Sequence, residues 1–369
     1  MLPRYQRRIK IWRTLTLAAC AVTLTGVVAS HAANAETDFS GKRIEIIVPF
    51  KEGGGTDRYT RFLAPNLKAN LPGNPTIIIR NIPGANGIPG ANQFQQRAEP
   101  DGLTLIATSA TNTFTFILGK KGVNYKMKEW IPIIGTPIGK LIYVDPGLGV
   151  VTASDVKKLQ GMKLVYGGNT PTSGDIHILL TLDLLGIEPN AVFGLSRGKA
   201  RQGFERGEFN ISYDTMPTYL KKIVPLVEKG KAVPLFTFGF TDSNGKYGRD
   251  PSLPDLPTFV EVYEQVHGKA PDGPGYEAWK TLYNAGIMSA KTLSLPAGTP
   301  KEIVDTYHAA IKKMVSAPDF AAKSEKAIGS YPNMLGDDAK KIVTNGTKLD
   351  PAVKKWLAAW VKKKYNVDL

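Results

Sequence analysis

Cysteine is all but missing: Cys20 is the one cysteine in 369 residues. Cleavage after Ala35, for which the first residues argue, would leave nothing to form a disulfide or to act as a thiol nucleophile. Histidine is scarce as well. His31, His177, His267 and His308 lie far apart, with no H-E-x-x-H and no paired Asp/Glu/His cluster, so no metal and no cofactor is expected. For His177, at the start of a helix, a surface position is the leading expectation and a ligand contact the alternative. Zinc-finger spacing and recognisable nucleic-acid motifs are absent, so no nucleic-acid partner is expected despite a formal charge of +15. The paired lysines, such as Lys120-Lys121, Lys221-Lys222 and Lys312-Lys313, are dispersed and read as solvated helix faces.

No acidic residue precedes Glu36. Arg4, Arg7, Arg8, Lys10 and Arg13 lead into an apolar run from Leu15 to Ala29 and then Ala33-Asn34-Ala35, the order of a secretory signal peptide over residues 1–35. Its removal takes away five basic residues and lowers the charge from +15 to +10. Leu17-Ala18-Ala19-Cys20 offers the alternative of a lipid anchor. Export to the periplasm is the expectation in either case. The remaining ~334 residues exceed one ordinary core, so two lobes are expected.

What is present is a repeated unit of strand, glycine-rich loop and helix. Ile44–Phe50 runs through Gly53-Gly54-Gly55 into a helix near Thr56 or Asp57, with Asp57 the natural cap. Strand Thr76–Arg80 runs through Asn81–Ala91 into a helix ending near Arg97. Strand Leu103–Thr108 ends at Ser109–Thr113. This is the rhythm of a parallel α/β sheet. Glycines and first-turn N–H groups make such loops anion sites, although ordinary βα turns are the competing reading. Neither a P-loop nor a dinucleotide fingerprint is present. The unit recurs where strand Lys163–Tyr166 meets Gly167–Asp175 and an apolar helix Ile176–Leu185. It recurs again at strand Ala191–Leu195 and helix Lys199–Arg206, and a short strand Phe209–Tyr213 ends at Asp214. Residues 241–278 read as irregular, and Leu282–Met288 as a returning strand.

Gly194-Leu195-Ser196-Arg197-Gly198 matches the nucleophile-elbow pattern. An exported serine hydrolase would use Ser196 with Asp214 or Asp242 and His267 or His308. Against it, Arg197 places a large cation beside the would-be oxyanion site. Arg197 could instead pair bidentately with a carboxylate, or lie on the surface.

Several runs together resemble a known family. Val48-Pro49-Phe50, Gly53–Asp57, Asn81–Gly87, Pro100–Leu105, Asp255–Glu261 and Leu295–Pro300 are similar, in order along nearly the whole chain, to the Bug (TctC-like) solute-binding receptors of tripartite tricarboxylate transporters. Lys51-Glu52 stands where that family usually has proline and glycine. The resemblance implies a non-enzymatic "Venus-flytrap" receptor: an α/β, two-lobed type II periplasmic-binding-protein fold with two doubly wound sheets joined by hinge strands. Lobe 1 would comprise residues 36–140 and 285–369, lobe 2 residues 141–238, and a connecting segment residues 239–284. The hinges would lie near Ile138–Val144 and between Phe238 and Met288. A small organic anion would sit between the lobes. Its expected contacts are Phe50, Gly53, Gly54, Gly55, Thr56, Asp57, Ala85, Asn86, Gly87, Ser109, Asn112, Asn169, Thr170, Ser173, Arg197 and Asp214. The expected partners of a monomeric receptor are the large and small membrane subunits of a tripartite transporter, with a sensor kinase as the alternative.

Overall fold

The computed structural model describes residues 36–242 and 244–369, so the expected signal peptide and the Cys20 anchor lie outside the described residues. Four strands come first: β1 (Arg43–Val48), β2 (Thr76–Asn81), β3 (Thr104–Ser109) and β4 (Ile131–Thr136). Five more follow, β5 (Lys140–Val144), β6 (Val165–Gly167), β7 (Asn190–Val192), β8 (Ile211–Thr215) and β9 (Val233–Thr237). A short hairpin of β10 (Phe240–Thr241) and β11 (Tyr247–Gly248) precedes β12 (Lys291–Leu295) and β13 (Met334–Leu335).

Two mixed sheets result. The larger has the order β13-β4-β12-β3-β1-β2 and the smaller β7-β6-β8-β5-β9. β1 is rich in β-branched residues and pairs in parallel with β2 and β3, as strands joined by helical crossovers do. β12 enters antiparallel between β3 and β4. In the smaller sheet β6 is parallel to β7 and β8, while β5 runs antiparallel to β8 and β9. The chain passes from β4 of one sheet to β5 of the other in three residues, 137–139, and returns through residues 238–290.

That return is more regular than its sequence suggested. It contains the helices Phe259–His267 and Gly273–Tyr283. The first is opened by a complete capping box, Thr258 with Glu261, whose sequence signature is plain in retrospect. Leu282–Met288 is not a strand. It closes the second helix and continues as a π-helical turn, Asn284–Met288, and the returning strand is β12. A short apolar run does not distinguish helix from strand, and Ala278, Trp279, Leu282 and Tyr283 show helical spacing of buried residues. Trp279 fixes this segment: its ring stacks on Phe259 at 4.5 Å and its indole N–H donates to Thr181 at 2.9 Å.

Five helices start at the loops of interest: α1 (Gly55–Asn70), α2 (Ile88–Arg97), α3 (Ala110–Ile117), α4 (Asp175–Leu184) and α5 (Arg197–Glu205). Among the described residues no helix is long and apolar enough to cross a membrane.

Candidate functional site

The loop after β1 turns at Gly53, whose φ of 71° is natural for glycine, and Gly54 donates to the Lys51 carbonyl at 3.2 Å. Gly54, not Asp57, is the N-cap of α1. Asp57 reaches back instead. Its buried carboxylate accepts the Gly53 N–H at 2.8 Å, Arg61 Nε at 2.9 Å and Asn81 Nδ2 at 3.0 Å. Burial alone would raise the Asp57 pKa, but these hydrogen bonds outweigh it and hold the carboxyl below its usual range. Glu52 joins the edge of this network through Arg61, so the unusual Lys51-Glu52 pair forms an exposed turn. The first i to i−4 bond of α1 runs from Arg58 to Gly54. The N–H groups of Gly55, Thr56 and Asp57 therefore have no helical acceptor and point the positive end of α1 outward. Beside them Lys291, the first residue of β12, donates to Thr56 Oγ at 2.7 Å. Burial, reinforced by Arg58 and Lys140, pushes the Lys291 ammonium down to about 7.

The second loop holds Ala85, Asn86 and Gly87 in succession at φ 39°, 58° and 85°, a strained arrangement for its two non-glycine residues. It is clamped from behind. Asn112 Nδ2 donates to the Gly87 carbonyl at 3.4 Å, and Asn112 Oδ1 accepts the Ser109 N–H at 3.2 Å, completing a capping box on α3. A Cβ on Gly87 would sit 2.6 Å from Asn112 Nδ2 and 3.1 Å from the half-buried Phe50 ring. Ser109 and Asn112 thus support the loop, with their side-chain groups engaged in the scaffold.

The smaller sheet repeats the device. Asp175, at the start of α4, accepts the Asn169 N–H at 2.9 Å, lies 2.7 Å from Ser173 Oγ and accepts the Tyr166 hydroxyl. Asn169 is exposed at the tip, and the buried Thr170 Oγ has no partner.

Two further expected ligand contacts, like Asp57, Ser109 and Asn112, are engaged in the scaffold. Arg197 neither lies on the surface nor offers its fork outward: it donates to the Gly167 carbonyl at 3.0 Å, Ser212 Oγ at 3.1 Å and the Tyr213 carbonyl, and stacks 4.0 Å from the Tyr213 ring centroid. Asp214 is saturated, taking both prongs of Arg201 at 2.8 and 2.9 Å and the Tyr143 hydroxyl at 2.9 Å. The hydrolase constellation is likewise dispersed. Ser196 caps α5 through the Lys199 N–H, His267 Nε2 meets the Leu184 carbonyl, and Asp242 caps its own turn.

Sequence reasoning passed over Lys140 and Lys291 and favoured a surface position for His177. Lys140, the first residue of β5, is 4% exposed and its ammonium has no hydrogen-bond partner among the described residues. Burial pushes it down to about 8, with Asp175 opposing and Arg197 adding to the effect. His177 is fully buried rather than on the surface, edge-on to Phe238 at 4.6 Å, with neither ring nitrogen partnered. Burial, then Lys140, holds its pKa well below the ordinary value, so the ring is neutral. The available signal was a lone lysine in an apolar strand, at Lys140 before Leu-Ile-Tyr-Val and at Lys291 before Thr-Leu-Ser-Leu.

No protein-family model matches the chain. A UPF0065 protein from the gbd 5' region of Cupriavidus necator is 27% identical over 335 residues, 85% of this chain and 86% of the relative. A structure of the periplasmic binding protein BugD is 21% identical and superposes with a TM-score of 0.60 over 88% of this chain and 98% of its own. Over most of its length the chain is similar in sequence to UPF0065 proteins and in fold to BugD. A second structure, R. palustris Rpa4515 with adipate, is 23% identical with a TM-score of 0.63, covering 88% of this chain and 98% of that one. At these identities the structural likeness speaks for the fold alone, the two-lobed α/β arrangement seen in periplasmic binding proteins.

Proposed function

We propose that this chain is an extracytoplasmic receptor that captures a small carboxylate-bearing solute in the cleft between its two sheets and delivers it to a tripartite-type transporter of one large and one small membrane subunit. The observation that carries the reading is the unsatisfied first turn of α1, with the half-buried ammonium of Lys291 at Thr56. Amides, helix dipole and cation converge there on one anion, and the rigid carboxylate ties of Asp57 spare the loop the cost of ordering when the ligand arrives. Gly53, Gly54, Gly55, Thr56 and the strained Ala85-Asn86-Gly87 loop form the lobe 1 wall, and Asn169, Thr170 and Ser173 the lobe 2 wall. Lobe 1 takes residues 36–136 and 291–369 and lobe 2 residues 140–237, with 137–139 and 238–290 as the connections, so the boundaries expected at 140 and 285 shift to follow the sheets. Closure about the 137–139 link and the return segment would give the permease a liganded state to recognise. The protein works as a monomer, without a cofactor and without catalysis.

The relatives support this assignment in kind: BugD is a periplasmic binding protein, and the Rpa4515 structure holds adipate. Mass spectrometry of the protein purified from a cell envelope and then denatured tests it. The expected release is a small organic acid in near-stoichiometric amount. Release of a sugar, peptide or nucleotide at that stoichiometry would overturn the reading.

A further inference from the structure

Lys140 is rooted in the smaller sheet, yet its ammonium reaches the junction with the larger one. The Phe114 ring of α3 lies 5.8 Å away, and a Cβ on Gly286 would sit 3.3 Å from Lys140 Nζ and 3.3 Å from His177 Nδ1. Lys140 therefore meets an aromatic face, the bare backbone of Gly286 and a neutral imidazole, and Asp175, the carboxylate whose field favours its charge, is not bonded to it. A buried ammonium left in this state is costly, which is why buried lysines ordinarily have partners. The segment that passes Lys140 at Gly286 enters β12 five residues later at Lys291, so one short stretch of chain connects the two cations.

We propose that Lys140 is a second anchor for the solute, taking an anionic group at the end of the ligand remote from α1, so that the cleft selects a dianion over a monoanion of the same length. This rests on the receptor reading above. The His177 ring nitrogens, also unpartnered and buried, are the neutral groups that would complete the second pole. Until that pole is neutralised, the lone charge opposes the closed state. A singly charged solute would occupy the α1 end and leave the charge uncompensated.

The test compares unbranched diacids of three to six carbons with their half-amides by calorimetry, in the full chain and in Lys140→Met. The half-amide keeps the length and one acceptor oxygen at the amidated end, removes one charge and exchanges the second acceptor oxygen for a donating NH2. The wild-type chain should prefer the best diacid over its half-amide by about 10- to 100-fold, the range of a hydrogen bond to a charged group. In Lys140→Met that ratio should collapse to within a few fold while half-amide affinity persists. Should Lys140→Met fail to fold, Lys140→Gln serves the same comparison. An unchanged ratio in the neutral variant, or no preference in the wild type, overturns the proposal and leaves the receptor reading standing. Binding of neither diacid nor half-amide by the wild type removes both.

Discussion

Replacing Asp214 with alanine is expected to destabilise the protein by about 3–5 kcal/mol, the cost of stripping one partner from a buried ion pair. Arg201 would keep its charge in a site where its side chain is only 15% exposed, and the Tyr143 hydroxyl would lose its acceptor. The residual exposure of Arg201 lets water recover part of the loss, which favours the lower end of that range. Chemical denaturation followed by circular dichroism measures it, and thermal melting should fall by roughly 5–15 °C. A variant that melts like the wild type but no longer binds solute would restore Asp214 to the ligand-contacting role that its position at the end of β8 first suggested.

Gly139→Ala should be the second severe substitution. Gly139 lies in the three-residue link between the sheets, and a Cβ there would stand 2.0 Å from Asp250 Oδ2 and 2.1 Å from Tyr331 Oη. Those two atoms share a buried hydrogen bond of 2.6 Å, which a Cβ at Gly139 would force apart. Burial raises the Asp250 carboxyl, against the Tyr331 and Ser252 hydrogen bonds, so the pair already sits in an unfavourable medium. Overpacking of this kind costs about 1–3 kcal/mol, occasionally more. The upper end is expected, because the shift must also disturb the entry to β5. Adding Tyr331→Phe removes one of the two clashes, so the double variant should regain part of the lost stability. If Gly139→Ala is neutral in a denaturation experiment, the link is looser than this packing implies.

Local signals carried β1 to β3 of the larger sheet and the loops that follow them, but not its β12 and β13. The apolar β-branched runs of β1 to β3, the glycines of residues 53–55 and 84–87, and the Ser109 boundary are each decided by residues within a few positions. Asp57 was legible as a structural group, although its bond goes back to Gly53 and not into its own helix. The elements that were missed depend on distant partners. Leu282–Met288 is helical because Trp279 and its neighbours pack across the return segment, and no strand partner is near in sequence to say so. The saturation of Asp214 required Arg201 and Tyr143 from separate elements, and the guanidinium of Arg197 was drawn inward by carbonyls of β6 and β8. Lys140 and Lys291 looked like two of many lysines. Their environment is made only where the two sheets meet, and that burial is what converts a common surface residue into a probe for anions.

Calorimetric titration of the full chain with unbranched dicarboxylates tests the central claim most directly. A saturable one-to-one isotherm in the micromolar range is expected for at least one of them, and it should disappear in Gly54→Trp, where the indole would cover the free first turn of α1. Absence of binding by any carboxylate, or binding that survives Gly54→Trp unchanged, would contradict an anion site at that helix.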